Sequence, residues 1–377
     1  MGSNPTSPTT SSLVPGGPVA LLAPSWLAFG LVIAAHLYGC VDDSDSSGIP
    51  DVAIDDSRDL AEADVPGTSC RRRVAVAVNG PASTGRVTFV IPEAATSFLL
   101  TARWGQDGAL AFDSLVSPLG VERLAPGWSA SPFGATCLSC PNRTTFAPHS
   151  VSLLVPVRPG IAVEAGSWDA AVVHVKQAAR AESELTWSAS AVVAEDLLTT
   201  LRLPLEVVAR DGATLAAFRE GGGEAPVVAA FKAAGIDVEF EWTTDLAAPA
   251  TVDALALGAI ERGSRGISVL MVDVLTGTDD VTLAGASPLP GPVRDGAVVL
   301  ARQAPSLGRT LAHELGHYLG LYHLTEPGAA DIHDPLPDTA LADEDNLMHV
   351  FGDGLELTAQ QIAVLRGHPV LMAPECD

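Results

Sequence analysis

Positive charge is scarce in this chain. Only two of its 377 residues are lysines, and lysine and arginine together number 21 against 45 acidic residues. The formal net charge is therefore −24 at pH 7. Proteins that bind nucleic acid need clustered cations to neutralise phosphates, so this composition argues against nucleic acid as a partner.

Cysteine is also rare, with five residues in the whole chain. Cys137 and Cys140 form one CxxC pair, and no second pair exists to complete a four-cysteine zinc site. If Cys40 is lipidated, an even number of cysteines remains, which suits two disulfides in an oxidising compartment. Cys137 would then pair with Cys140, and Cys70 with Cys376.

The N-terminus lacks the basic start of a signal peptide, because no lysine or arginine precedes Arg58. An apolar run from Val19 to Tyr38 nevertheless leads into Leu37-Tyr38-Gly39-Cys40, which resembles a bacterial lipobox. We interpret residues 1–40 as a signal peptide with a lipobox that anchors the chain to a membrane. An ordinary signal peptide and an uncleaved anchor are the alternatives. All three export the chain, as a cell-envelope lipoprotein or a secreted protein.

Three segments with different patterns follow. Residues 41–68 are acidic with little apolar patterning, which is typical of a disordered linker. Residues 69–194 carry short alternating runs between glycine and proline turns, which predict an all-β sandwich accessory domain. Residues 195–377 alternate apolar strands with helical patterns, which predict an α/β (α+β) domain. The expected strands are 73–78, 86–91, 97–102, 150–157, 170–175, 203–208, 236–242, 267–274 and 297–301. The expected helices are 224–234, one from about 306, and one from 358 that begins with the capping box Thr358-Ala359-Gln360-Gln361.

The last domain holds the residues that indicate chemistry. His313 and His317 are four apart, so on a helix both imidazoles project from one face, at the separation that two ligands of one tetrahedral zinc need. Glu314 lies beside them and can act as general base toward a metal-activated water. Gly320 tolerates positive φ, so the helix can end there and return His323 to the same ion. Three protein ligands with one open position are typical of catalytic zinc.

The segment His313–His323 matches the extended His-Glu-x-x-His-x-x-Gly-x-x-His motif and thereby resembles the metzincin clan of zinc peptidases. Asn346-Leu347-Met348 is similar to the clan's Met-turn, in which Met348 would form the floor beneath the metal. The spacing of Asp331, Asp334 and Pro337-Asp338-Thr339 resembles the pappalysin (cytophagalysin) type. This resemblance covers about residues 200–377. It implies a metzincin-like fold, one catalytic Zn²⁺ and protein or peptide substrates.

The resemblance is incomplete after the Met-turn. Val350 occupies a position where several metzincin families place a tyrosine that stabilises the oxyanion. His349 or Tyr322 could take that role, or His349 could contact the substrate or a metal ligand. The cysteines expected near the Met-turn of pappalysins are missing.

Other polar residues have alternative interpretations. Asp331, Asp334 and Asp338 suit Ca²⁺ as carboxylates in a loop, although no EF-type pattern supports that ion. Their alternative roles are turn formation and hydrogen bonding to histidine, and Asp338 could contact a metal ligand or the substrate. His333 is either a competing ligand or a solvated residue.

The sequence therefore predicts a zinc-dependent endopeptidase with Glu314 as general base. We expect the strand Ala297–Ala301 at the edge of the cleft, where it would pair with an extended substrate. The alternative is a non-catalytic surface lipoprotein with a β-sandwich binding domain and a structural or vestigial zinc site. Arg71-Arg72-Arg73 is either a basic strand edge or a processing site.

Overall fold

The computed structural model describes residues 71–373, apart from twelve gaps. The gaps are residues 81–84, 105–108, 125–145, 157, 175–184, 194–199, 255–256, 258–259, 261–265, 278–281, 305 and 327–328. The predicted lipobox, the acidic linker and all five cysteines lie outside the described residues. Within the described part of the chain, no helix is both long and apolar enough to cross a membrane.

Residues 71–193, here called the two-sheet region, form two antiparallel sheets. The first has the strand order β1-β9-β4-β7 and the second the order β2-β3-β8-β5-β6. The strands are β1 (Arg72–Val76), β2 (Val78–Asn79), β3 (Arg86–Ile91), β4 (Ala95–Trp104), β5 (Ala109–Val116), β6 (Phe146–Pro148), β7 (Ser150–Val155), β8 (Gly166–His174) and β9 (Leu185–Val193).

The two sheets share one apolar core. At its centre Phe98 of the first sheet makes edge-to-face ring contacts with Phe89 and Trp168 of the second, at centroid distances of 5.6 and 5.1 Å. Alternation along β7 sends Leu153 into this core, whereas Leu154 packs into the core of the following region.

Residues 200–373, here called the mixed-sheet region, hold a five-stranded sheet in the order β11-β10-β13-β16-β15. The first four strands are parallel, and β15 runs antiparallel to β16. The elements are β10 (Leu201–Ala209), α1 (Gly212–Glu220), α2 (Glu224–Ala233), β11 (Ile236–Thr244), β12 (Thr251–Asp253), β13 (Ile267–Val272), β14 (Val274–Thr276), β15 (Gly285–Ala286), β16 (Ala297–Ala301), α3 (Leu307–Tyr318), β17 (Thr325–Glu326), β18 (Ala329–His333) and α4 (Ala359–Gly367).

The expectation that Ala297–Ala301 lies at the cleft edge is wrong. This strand, β16, is hydrogen bonded on one side to β13 and on the other to β15. All five of its residues are buried, as in a strand with neighbours on both sides. The edge strand is β15. It has only two residues, too few to show the alternating pattern by which a strand is recognised in a sequence.

The two regions pack tightly against each other. Arg71 is buried, and its guanidinium donates hydrogen bonds to the carbonyls of Arg366 and His368 at the end of α4. Arg72 and Arg73 belong to β1. The arginine run is therefore one buried anchor followed by two exposed arginines at the start of the edge strand β1, which agrees with the predicted basic strand edge.

Candidate metal centre

Helix α3 carries His313, Glu314 and His317 at the interface between the sheet and the following loop. Leu311, Leu315 and other apolar residues on this helix belong to the main core of the mixed-sheet region. The helix is therefore fixed by burial, and its two histidines lie one turn apart as their spacing predicts. His313 is 6% exposed and His317 is completely buried.

A sharp turn follows the helix. The last helical residue is Tyr318, and Gly320 adopts a φ of +107°, which L side chains rarely tolerate. The Leu321 amide donates to the Gly316 carbonyl at 2.9 Å, so the chain folds back over the end of the helix. A Cβ at Gly320 would lie 2.7 Å from Leu154 Cδ2 of the two-sheet region. This turn brings His323 back beside the two helical histidines.

The three histidines present their Nε2 atoms to one another. His323 Nε2 lies 3.2 Å from His313 Nε2 and 3.0 Å from His317 Nε2. The Nδ1 atoms of the two helical histidines lie 2.8 Å from the Leu347 carbonyl and 2.7 Å from the Leu321 carbonyl. Among the described residues this is the only group of three or more side chains that could ligate one metal ion.

This donor set fits zinc. A carbonyl only accepts, so the Nδ1 atoms of His313 and His317 carry hydrogens and their Nε2 atoms carry lone pairs. One hydrogen on His323 Nε2 could satisfy one of its two close contacts but not both, whereas a cation satisfies all three nitrogens. Zinc–nitrogen bonds of about 2.0–2.1 Å in tetrahedral geometry separate the nitrogens by about 3.3 Å, close to the observed spacing.

Burial keeps two of the three histidines in the protonation state that metal binding requires. Loss of hydration holds the pKa of His313 and of His317 well below the usual value, and the nearby His323 adds to the effect. Both imidazoles are therefore neutral at neutral pH. Their carbonyl contacts also fix the tautomer and the ring orientation.

Glu314 lies beside the three histidines and is 6% exposed. Burial raises its pKa to about 7, against the opposing effects of the Ser287 hydroxyl and the Arg309 charge. Its Oε2 atom has no hydrogen-bond partner among the described residues. A Cβ on Gly285 of β15 would lie 2.8 Å from Glu314 Cγ, so the backbone of the edge strand passes directly beside this carboxylate.

Met348 packs against the helix that carries His313 and His317. Met348 is fully buried, and a Cβ on Gly316 would lie 2.6 Å from its sulfur. The Asn346 side chain accepts from the Met348 amide at 2.9 Å and exchanges two hydrogen bonds with the Gln361 side chain. Gln361 completes the predicted capping box with Thr358 at the start of α4, which the structure confirms. Sequence reasoning found the capping box but missed its link to the Met-turn.

Two of the three loop carboxylates considered for Ca²⁺, Asp334 and Asp338, hold local structure through hydrogen bonds. Asp338 accepts from the Thr358 hydroxyl and the Gln360 amide, each at 2.9 Å, and so caps α4 rather than facing the histidines. Asp334 is buried, and its Oδ1 accepts from the Leu336 amide at 3.1 Å and the Thr339 hydroxyl at 2.5 Å. The side chains of Asp331 and His333 lie outside the described residues.

The two candidates for oxyanion stabilisation differ in exposure. Tyr322 is only 2% exposed, whereas His349 is half-buried. The Phe351 amide donates to His349 Nδ1 at 3.3 Å, which leaves Nε2 as the N–H donor of the neutral ring. Val350 is also half-buried and offers no side-chain donor.

Comparisons with known proteins agree with this site chemistry. No family model matches the chain. An extracellular metalloprotease of Verticillium alfalfae is 33% identical over 125 residues, which are 30% of this chain and 44% of that protein. An extracellular metalloprotease of Colletotrichum graminicola is 39% identical over 54 residues, which are 12% of this chain and 19% of that protein. The chain thus spans less than half the length of these curated relatives.

A solved structure, metalloproteinase-II of Bacteroides fragilis, aligns with 45% of this chain and 53% of its own. Its sequence identity is 14% and its TM-score is 0.29.

Proposed function

We propose that the protein is a zinc-dependent endopeptidase that hydrolyses peptide bonds in proteins or peptides. The observation that carries the proposal is the convergence of His313, His317 and His323 through their Nε2 atoms, with Glu314 beside them. The similarity to extracellular metalloproteases supports the same conclusion.

The three imidazoles would hold the zinc ion and leave one coordination position open. When bound, zinc lowers the pKa of a coordinated water to about 7 and polarises a carbonyl. Glu314 accepts the proton of the attacking water at a carboxylate oxygen and then donates it to the leaving amine. Its Oε2, which has no hydrogen-bond partner among the described residues, is available to take up this proton.

The substrate would bind along β15. This strand lies at the edge of the sheet, next to Glu314, and a peptide in extended conformation can add to such an edge through backbone hydrogen bonds. This pairing would place a peptide carbonyl close to the carboxylate. The two residues of β15 are glycine and alanine, so no large side chain of the strand would lie between them. This arrangement favours cleavage of internal peptide bonds. Cleavage should depend little on the substrate side chains that face β15.

We further propose a metzincin assignment of the pappalysin type, with residues 195–377 as the peptidase domain and residues 69–194 as a β-sandwich accessory domain. The extended histidine motif, the buried Met348 and the shared core of the two antiparallel sheets support this division. Export, with a lipid anchor at Cys40, rests on the leader sequence.

Hydrolysis of casein by the purified chain, with and without a chelator, tests the proposal. We expect activity that the chelator removes and added zinc restores, and that Glu314→Ala abolishes although the protein still binds zinc. A wild-type chain that binds zinc but hydrolyses neither casein nor a peptide library would favour the non-catalytic surface lipoprotein instead.

A further inference from the structure

Arg309 lies one helical turn before His313, on the same face of α3. Its Nη2 atom donates to two backbone carbonyls, that of Leu347 at 3.0 Å and that of His349 at 2.6 Å. These two carbonyls flank Met348 in the chain. One nitrogen of Arg309 therefore holds both sides of the Met-turn.

The Leu347 carbonyl is also the acceptor for His313 Nδ1, at 2.8 Å. Leu347 is completely buried, so Arg309 and His313 satisfy its oxygen without solvent. A carbonyl oxygen has two acceptor positions, and here one is used by a proposed metal ligand and the other by Arg309. The position of this oxygen fixes the orientation of the His313 ring.

A third contact lies further along the same helix face. Gly316 meets the Met348 sulfur so closely that a Cβ there would lie 2.6 Å from it. Arg309, His313 and Gly316 thus form one stripe, at positions i, i+4 and i+7, against which the Met-turn packs. Arg309 is the only charged member of this stripe, and its half-buried guanidinium loses part of its hydration, which lowers its pKa. Its Nε atom is buried without a hydrogen-bond partner among the described residues.

We propose that Arg309 is a positioning residue of the metal centre, which holds the His313 imidazole in its ligating orientation through the two carbonyls that flank Met348. The inference rests on the proposed zinc site. Without Arg309 the Met-turn loses the donor that links both of its carbonyls to the helix. The Leu347 oxygen then shifts, and the His313 ring turns with it.

The test compares Arg309→Met and Arg309→Lys with a control, Arg302→Met, in the full-length chain. Arg302 follows β16 and pairs with Asp273 at 3.0 Å, away from the Met-turn. Zinc affinity is measured by competition with a chromophoric chelator, and the melting temperature is measured for each zinc-free protein. A purely structural role would lower the melting temperature and leave zinc affinity unchanged.

We expect Arg309→Met to weaken zinc binding about 10- to 100-fold, as is typical when a partner of a metal ligand is lost. Arg309→Lys should weaken it by roughly 3- to 10-fold, because its nitrogen is one bond short of reaching both carbonyls. The control should bind zinc like the wild type.

Wild-type zinc affinity in Arg309→Met would overturn the inference while leaving the proposed function intact. If Arg309→Met fails to fold, wild-type affinity in Arg309→Lys would overturn it in the same way. Failure of the wild-type chain to bind zinc would instead overturn the metal site itself.

Discussion

The two-sheet region and the mixed-sheet region bury similar apolar cores but very different polar groups. In the two-sheet region the one buried histidine among the described residues, His174, stands alone beside the Trp104 ring at a centroid distance of 3.8 Å. In the mixed-sheet region three histidines and a glutamate are buried together on α3 and the turn after it. Burial alone lowers the pKa of His174, whereas neighbouring imidazoles add to the effect of burial in lowering the pKa of His313 and of His317.

This difference shows where the chemistry of the molecule is concentrated. An isolated buried imidazole can stay neutral at modest cost, but three converging lone pairs need a cation. The two-sheet region supplies none of these ligands. Its contribution is packing, through Leu154 against Gly320 and through Arg71 against the end of α4.

The largest expected effect is on hydrolysis. Glu314→Gln removes the general base without changing the shape of the side chain, so kcat/KM should fall about 10³-fold or more. Zinc content should stay the same, because Glu314 is not among the three converging ligands. Steady-state hydrolysis of a peptide substrate together with metal analysis checks both points. A variant that retains more than about a tenth of wild-type activity would assign the base to another residue.

A second prediction concerns the cost of burying Glu314. Because its pKa in the folded protein is about 7, against a usual value of 4.5, ionisation favours the unfolded chain between these two pH values. The zinc-free wild type should therefore lose stability relative to zinc-free Glu314→Gln as pH rises from 4.5 to 7. The difference should approach about 3 kcal/mol and stay constant above pH 7.

Urea unfolding of the two zinc-free proteins across this pH range measures the effect. A stability difference that does not change with pH would show that Glu314 ionises as freely in the folded protein as in the unfolded chain.

Two glycines with positive φ, one in each region, give the next test. Gly320→Ala adds backbone strain and a clash with Leu154, so it should displace His323 and weaken zinc binding about tenfold. Gly120 has a φ of +74° and open space around it. Gly120→Ala should therefore cost about 1 kcal/mol of stability through its backbone alone, with unchanged zinc affinity. Equal zinc affinity in the two variants would show that the turn at Gly320 does not position His323 for zinc binding.

The smallest expected effect on zinc binding concerns two adjacent leucines of β7. Leu153 and Leu154 are both completely buried, one in each core. Replacing either with alanine should cost about 2–4 kcal/mol of stability. Only Leu154→Ala should also weaken zinc binding, by a few-fold, because only Leu154 contacts the turn at Gly320. Thermal unfolding and zinc competition distinguish the two, and matching zinc affinities would limit the two-sheet region to stability.

The sequence predicts those parts of the site that depend on local spacing. The His313–His317 pair follows from the helical period, and the turn at Gly320 follows from the conformational freedom of glycine. The capping box at Thr358 is equally local. Helix α1 was missed although Asp211 caps it through the Thr214 amide at 2.8 Å, because its glycine start weakens the helical pattern.

Contacts between distant segments are not visible in a single sequence. Strands β5 and β9 are rich in alanine and serine, which are weak strand signals, so neither was expected. The role of β15 depends on pairing with β16, and the roles of Asp338 and Arg309 depend on how loops pack against α4 and α3. Arg309 and β15 became functional candidates only through the tertiary fold, whereas Asp338 was already a candidate in the sequence and the fold places it at the start of α4.

X-ray absorption spectroscopy of the zinc-loaded, full-length chain tests the metal centre most directly. The account predicts one zinc ion per chain with three imidazole nitrogens at about 2.0–2.1 Å, and a loss of one imidazole in His323→Ala. A zinc shell without imidazole, or an unchanged shell in His323→Ala, would contradict it.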